Sequence, residues 1–384
     1  LIYLDNSATT QTHPDVISVM TDVMQNLYGN PSSLHKEGVK AERLMEQARK
    51  VIAKKLNCHP AEIIFTSGGT EANNLAIKGV AEQLQHRGRH LITSKIEHPS
   101  VYDVMRQLEQ RGWKVTYLDV DQWGHISVES VEKALTKETV LVSIMHVNNE
   151  LGTIQPIAEI GQLLAKYPKV LFHVDAIQSF GKLQLAIDMA QVDLLSISAH
   201  KFHGPKGIGA LYVKKNIQLA PLLVGGGQEQ GLRSGTQNVP GIVGMAKATM
   251  LTDRHPDFLQ RSYEWKKAFL DNVTRNLDHI LINGDTTTEK AVPYIINLSF
   301  PGLKSEVLVH ALENEGVMVS TKSACSSKLE VPSRVLKAIG RKDQEALSSI
   351  RISMGYQTKQ EEMEQLAQVL LQVVPKLQQV MKVR

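Results

Sequence analysis

VLFHVDAIQSFGKLQLAIDMAQVDLLSISAHKFHGPKGIGALYV, residues 170–213, decides the fold class. VLFHVD and DLLSISA are short, nearly continuous apolar runs, the pattern of strands buried on both faces. GPKG, from Gly204, is a glycine-rich turn, and the apolar run after it reads as an edge strand. Working outward, EIIFT (62–66), HLITS (90–94), VTYLDV (115–120) and VLVSIMHV (140–147) repeat the theme. Residues 39–56, 70–85 and 156–167 between them carry helical spacing. Strands alternating with helices predict an α/β unit with a mostly parallel sheet.

Beyond about residue 250 the rhythm changes. Residues 255–277 read as a long connecting helix, followed by strand-like NLSF, an amphipathic helix around Leu308, and strand-like VMVST. Two helices are predicted from Pro332 and Gln360, with Pro375 expected to interrupt or kink the second. The apolar residues of this last stretch have helical spacing and suit packing on a smaller α+β unit, which the N-terminal segment is expected to join.

The chain has 384 residues, which suggests more than one domain. Hydrophobic residues make up 42% and charged residues 21%, and the formal net charge is +4 with no basic block, so nucleic acid and anionic membrane are not demanded as partners. No apolar run is long enough to span a bilayer. The opening LIYLDNSATT lacks the basic and apolar regions of a secretory leader. Two dissimilar cysteines, Cys58 and Cys325, form neither a metal pattern nor a disulfide framework. The expected setting is soluble and cytoplasmic.

Several short motifs carry chemistry, and each has a plainer reading. Lys201 follows an apolar strand and is flanked by His200 and His203. It serves as an ordinary strand-end lysine, or as a Schiff-base amine whose pKa is lowered by burial and by positive charge from the histidines. Asp175 is a helix cap, or a carboxylate that keeps a pyridine nitrogen protonated, with Gln178 on the ring's phenolic oxygen. Gly68-Gly69-Thr70 joins a strand to a helix, as a capping turn or a phosphate cradle. His98, held extended by Pro99, is structural or lies over a cofactor face. Asn149, in HVNNELG, stabilises a turn or orients a ring substituent. GLRSGTQNVP offers Arg233, Ser234 and Thr236 to an anion. Cys325 sits among small polar residues, unlike a core cysteine, with Lys322 and Lys328 near in sequence to favour its thiolate. Cys58, at a helix end, reads as structural.

Taken in order, YLDNSATT, YGNPSSLH, TSGGTEANN, EHPS, NNELG, VDAIQ, SAHKFHGPKG, RSGTQN and SACSS resemble the NifS/IscS group of cysteine desulfurases, within the class V, fold-type I pyridoxal-phosphate enzymes. The resemblance covers essentially the whole chain. It implies a large domain over 15–255 with a seven-stranded sheet. It further implies a smaller α+β domain from 1–14 and 256–384 that carries a mobile cysteine loop at about 321–332. It implies pyridoxal 5'-phosphate bound covalently to Lys201, with Asp175 on the ring nitrogen, Gln178 on the phenolic oxygen and His98 stacked on the ring and moving protons. Gly69, Thr70, Ser198 and His200 are similar to the family's phosphate ligands. Thr236 is similar to one that reaches the neighbouring subunit's phosphate, which implies a homodimer. Asn30, Asn149 and Arg351 resemble residues that orient the substrate, L-cysteine, with Arg351 on its carboxylate. Cys325 is implied as the persulfide carrier that hands sulfur to an acceptor protein, in iron–sulfur cluster assembly or in tRNA or cofactor thiolation. SKLEVPSRVLKAIG looks like the family's longer loop, with Val331 inserted between Glu330 and Pro332. Alternative readings are a selenocysteine lyase, an aminotransferase or a non-catalytic docking protein. Retention of Lys201, Asp175, Gln178 and Cys325 together argues against the last.

Overall fold

A computed structural model describes residues 1–184, 190–287, 289–321 and 331–380. Its strands are Ile2–Tyr3 (β1), Ile63–Thr66 (β2), His90–Ser94 (β3), Lys114–Leu118 (β4), Thr139–Met145 (β5), Leu171–Asp175 (β6), Leu194–Ser198 (β7), Gly209–Val213 (β8), Leu281–Asn283 (β9), Ile295–Ser299 (β10), Val317–Met318 (β11) and Ser349–Ser353 (β12). Seven of them form one sheet in the order β2-β8-β7-β6-β5-β3-β4. β4, β3, β5, β6 and β7 run parallel, whereas β8 is antiparallel to both β7 and β2. The fold is therefore α/β with a mostly parallel sheet.

Apolar side chains on both faces of each central strand explain this arrangement. Along β5, Leu141 enters a core with helices Gly69–Leu84 and Pro99–Gln110, while Val142 enters the core on the opposite face. That alternation is the two-residue period of a pleated strand covered on both sides.

The expectation that the strand after GPKG forms an edge is corrected. β8 is fully buried between β2 and β7, and β2 is the edge. Gly209 makes room for this: a Cβ there would sit 2.7 Å from the Gly68 carbonyl carbon. The outer edge of β2 is capped by an ion pair. Arg49 Nη1 and Nη2 donate to the two Glu229 carboxylate oxygens at 2.9 and 2.8 Å. Glu229 also accepts the Phe65 N–H at 2.8 Å, and Arg49 donates to the Ile63 carbonyl. Free edge groups are thus occupied within the chain rather than left for another strand.

A second apolar core gathers around the three-stranded sheet β12-β10-β9, the parallel pair β1-β11, and helices Phe258–Asn276, Ser305–Asn314 and Gln360–Val380. The N-terminal segment is woven into it through Leu4, whose N–H donates to the Met318 carbonyl, and Asn6, whose N–H donates to the Ser353 carbonyl. Pro375 does not interrupt the last helix as expected. Val373 and Val374 are buried in this core and hold the turn, and the one lost hydrogen bond, to the carbonyl of Leu371, falls on a half-buried residue. VMVST contributes only a two-residue strand.

Glu229→Ala removes the bidentate, buried partner of Arg49, leaving it the half-exposed Glu46 on Nε, and uncaps β2. It is expected to destabilise the protein by about 3–5 kcal/mol, read from urea unfolding midpoints at neutral pH.

Candidate active site

The parallel strands deliver their C-terminal ends to one side of the large sheet, where open α/β sheets place ligands. Met145 ends β5, Asp175 ends β6 and Ser198 ends β7, with Met145 paired to Asp175 and Asp175 to Ser196 across the sheet. Lys201 follows in the tight turn Ala199–Lys201. Gly69 and Thr70 open the helix after β2, and His98 caps helix Pro99–Gln110. These ends enclose a cavity of about 150 Å³ lined also by Ser7, Ala8, Asn149, Gln178, His200 and Arg351.

Asp175 is buried, and its carboxylate is solvated by protein groups. Oδ1 accepts the Ile177 N–H at 2.9 Å and Oδ2 accepts Asn73 Nδ2 at 2.8 Å. Burial pushes its pKa up, and these two bonds and the nearby Lys201 oppose that rise. Asn73 also donates to Ser100 Oγ at 2.9 Å, and Ser100 Oγ lies 2.8 Å from His98 Nδ1. The Ser100 N–H donates to the same Nδ1 at 3.2 Å, so the His98 proton belongs on Nε2. A polar chain therefore runs from Asp175 through Asn73 and Ser100 to His98. Burial, then the charges of Lys201, Arg334 and Arg351, lower the His98 pKa to about 4. The imidazole is neutral at pH 7.

Lys201 Nζ donates to the main-chain carbonyls of Ser7 and Ala8, at 2.5 and 3.0 Å. Gln178 Nε2 donates to the same Ser7 carbonyl at 3.0 Å, while Gln178 Oε1 is buried without a partner. The expected help from charged histidines is corrected. Burial, followed by Lys201 for His200, lowers the pKa values of His200 and His203 to about 3 and 4. Both rings are neutral at pH 7 and bring no positive charge to the lysine. His200 Nδ1 lies 3.1 Å from Thr9 Oγ1.

Gly69, Thr70, His98, Asn149, Asp175, Gln178, Ser198, His200, Lys201 and Arg351 are brought together around this one cavity. Asn30 and Thr236 are exposed and do not line it. Arg233 is engaged by Glu71, with Nε 2.8 Å from Oε1, and Ser234 is buried. Cys325 lies outside the described residues, as does most of the expected loop at 321–332. Cys58 packs against the larger core, as a structural cysteine does. The sequence reading did not single out Ser7, Ala8, Asn73 and Ser100. Ser7, Ala8 and Ser100 stand inside the quoted motifs YLDNSATT and EHPS, and Asn73 in TSGGTEANN.

A buried carboxylate, an amine, a neutral imidazole, an unpartnered carboxamide oxygen and a helix N-terminus with a glycine at its first position fit a phosphorylated pyridine aldehyde. At Gly69, a Cβ would stand 2.2 Å from Ile177 Cδ1 and 3.3 Å from Ser198 Cβ, so the glycine keeps the backbone close to the cavity. Residues 2–366 match the Aminotransferase class-V family. The chain belongs to that family. Within it, the chain falls in the NifS/IscS group: it is 44% identical over 377 residues to cysteine desulfurase IscS of Dictyoglomus turgidum, covering 98% of this chain and 95% of that one. A solved NifS-like protein superposes with a TM-score of 0.91 at 37% identity, covering 98% of this chain and 100% of the other. A structure described as SspA in complex with cysteine superposes with a TM-score of 0.81 at 39% identity, covering 92% and 99%. Membership in this class V group implies a pyridoxal-phosphate cofactor.

Among the described residues no helix is long and apolar enough to cross a membrane.

The buried imidazoles set an acid limit on stability. His98, His146, His173, His200 and His203 have pKa values lowered by burial to about 4, 4, 3, 3 and 4. Between pH 6.5 and about 4 the unfolded chain binds protons that the folded chain does not, so stability falls as pH falls through that window. Glu97, raised to about 8 by burial, and Asp175 act in the opposite sense but are outnumbered. Each imidazole contributes a loss of up to about 2 kcal/mol between pH 7 and 5. The urea midpoint is expected to be lower at pH 5 than at pH 7.

Proposed function

We propose that the protein is a pyridoxal-phosphate-dependent cysteine desulfurase. In this reading it converts L-cysteine to L-alanine and holds the sulfur as a persulfide on Cys325. The observation that carries the reading is the convergence of Lys201, Asp175, His98 and Arg351 on one cavity. Membership in the class V family and the named relatives support it.

Pyridoxal phosphate supplies an electron sink for removal of the amino acid's α-proton. Lys201 holds the cofactor through its amine. Asp175, its carboxylate oxygens accepting from the Ile177 N–H and Asn73 Nδ2, would pair with the ring nitrogen. Gly69 and Thr70 at the helix start, with Ser198 and His200, would take the phosphate. His98, which carries its proton on Nε2 because its other nitrogen accepts the Ser100 N–H, would face the ring and move protons there. Gln178 would donate a carboxamide N–H to the phenolic oxygen. Arg351, with the Asn149 main-chain carbonyl against it, would receive the substrate carboxylate.

With the cofactor bound, the Lys201 amine would be the base for the substrate's α-proton. Sulfur then passes to Cys325. The thiolate bonds the substrate sulfur, the carbon–sulfur bond breaks with its electron pair on carbon, and that carbon takes a proton to become the methyl group of alanine. The balance is one L-cysteine and one enzyme thiol in, one L-alanine and one enzyme persulfide out. An acceptor protein, serving iron–sulfur cluster assembly or tRNA or cofactor thiolation in the cytoplasm, takes the sulfur onward.

The protein acts as a homodimer in this proposal, with Thr236 completing the partner's phosphate site. Thr236 is exposed and outside its own cavity, and Tyr28, Leu34, Leu223 and Val224 expose apolar surface as a protein interface does.

Cys325→Ser is expected to keep the cofactor absorbance but to cut alanine formation from L-cysteine by at least about a hundredfold. No persulfide should be detectable on the variant by alkylation and mass spectrometry. Full turnover by this variant, without an added keto acid, rejects the assignment.

A further inference from the structure

Arg351 is 1% exposed, and its guanidinium is held from two sides. Nη1 donates to the Asn149 main-chain carbonyl at 3.0 Å, and Nη2 donates to Asp5 Oδ1 at 2.8 Å. Nε is buried and has no acceptor. Asp5 is itself fixed: its other oxygen, Oδ2, accepts Ser320 Oγ at 2.9 Å, and its main chain bridges to Ser353 beside Arg351. Ser320 and Arg351 exchange both backbone hydrogen bonds, at 3.1 and 2.6 Å. The Tyr3 hydroxyl donates to the Thr9 carbonyl at 2.8 Å and lies 3.3 Å from the Asp5 carbonyl. One acid thus joins the N-terminal segment, the strand of Arg351 and the residue that precedes the expected cysteine loop.

We propose that Asp5 is a positioning residue for recognition of the substrate's α-carboxylate, acting through Arg351. The inference rests on the proposed function, in which Arg351 binds that carboxylate. A guanidinium presents five N–H groups in one plane, and a carboxylate gains most from two of them at once. With Nη1 and Nη2 each tied to a fixed oxygen, the plane cannot swing. The orphaned Nε–H and the remaining Nη protons are then left for an incoming carboxylate at little cost in side-chain freedom. Asn149 contributes here through its carbonyl, which orients the arginine. Asp5 also reduces the net charge the substrate meets. The buried, unpartnered Nε decides between the two effects, because a desolvated donor rewards correct direction more than an exposed charge does.

The test compares wild-type holoenzyme with Asp5→Asn and Ser320→Ala. L-alanine and L-alaninamide, which differ in the free carboxylate, are titrated against the cofactor absorbance, and kcat and KM are measured for L-cysteine. Asp5→Asn is expected to weaken L-alanine and raise KM for L-cysteine about tenfold, a loss of about 1.4 kcal/mol. Alaninamide affinity and kcat should move less than about twofold. Ser320→Ala should shift L-alanine alone, by about two- to threefold. Equal weakening of both ligands shows a merely structural role and overturns the inference, as does tighter L-alanine binding. If Asp5→Asn yields no folded holoenzyme, Ser320→Ala decides: no selective loss of L-alanine overturns the proposal. Failure of the desulfurase reading shows separately, as wild-type protein that binds L-alanine through its cofactor yet makes no persulfide from L-cysteine.

Discussion

A carboxylate buried at the end of a central parallel strand sets the terms for what surrounds it. Asp175 reaches its place because β6 lies between β5 and β7, far from either sheet edge. Burial there costs a charged group dearly unless donors meet it. The Ile177 N–H and the Asn73 carboxamide do so, and Asn73 in turn orders Ser100 and hence the tautomer of His98. The polar side of the cavity is a chain of consequences of one buried acid. Its geometry is set by rigid strand and helix termini rather than by free loops.

Opposite that acid stands the N-terminal segment. Its Ser7 and Ala8 carbonyls receive the Lys201 amine, Ser7 also receives Gln178, and two residues earlier Asp5 grips Arg351. These few residues belong by packing to the second core, through Ile2 and Leu4, yet they complete the wall of a cavity built by the large sheet. The two cores are tied together at the site itself.

The large sheet was legible because its central strands are buried on both faces and so are largely apolar, as in VLFHVD and DLLSISA. The error over β8 has a simple origin. Glycines around residues 204–209 signal a turn, but whether the next strand lies at an edge depends on β2, which pairs across about 150 residues of sequence. Lys201, Asp175 and His98 were recognisable as strand-end residues of suitable chemistry, and the order of the motifs tied them to one family. Asn73 and Ser7 escaped notice because their roles are relational. One supports a charge carried by another strand, and the other acts through its main-chain carbonyl, which every residue possesses. The neutrality of His200 and His203 was equally hidden, since proximity in sequence says nothing of desolvation.

The weaving of the first strand bears on how the molecule is made. Ile2–Tyr3 pairs with Val317–Met318, and Asp5 bridges to Ser353, so the opening residues find their partners near the far end of the chain. A nascent chain leaving the ribosome can assemble β2 to β8 while its first segment stays unpaired. The pocket's wall closes only after Ser353 has emerged. Late, long-range closure of this kind is entropically slow, and it separates completion of the central scaffold from the acquisition of a competent site.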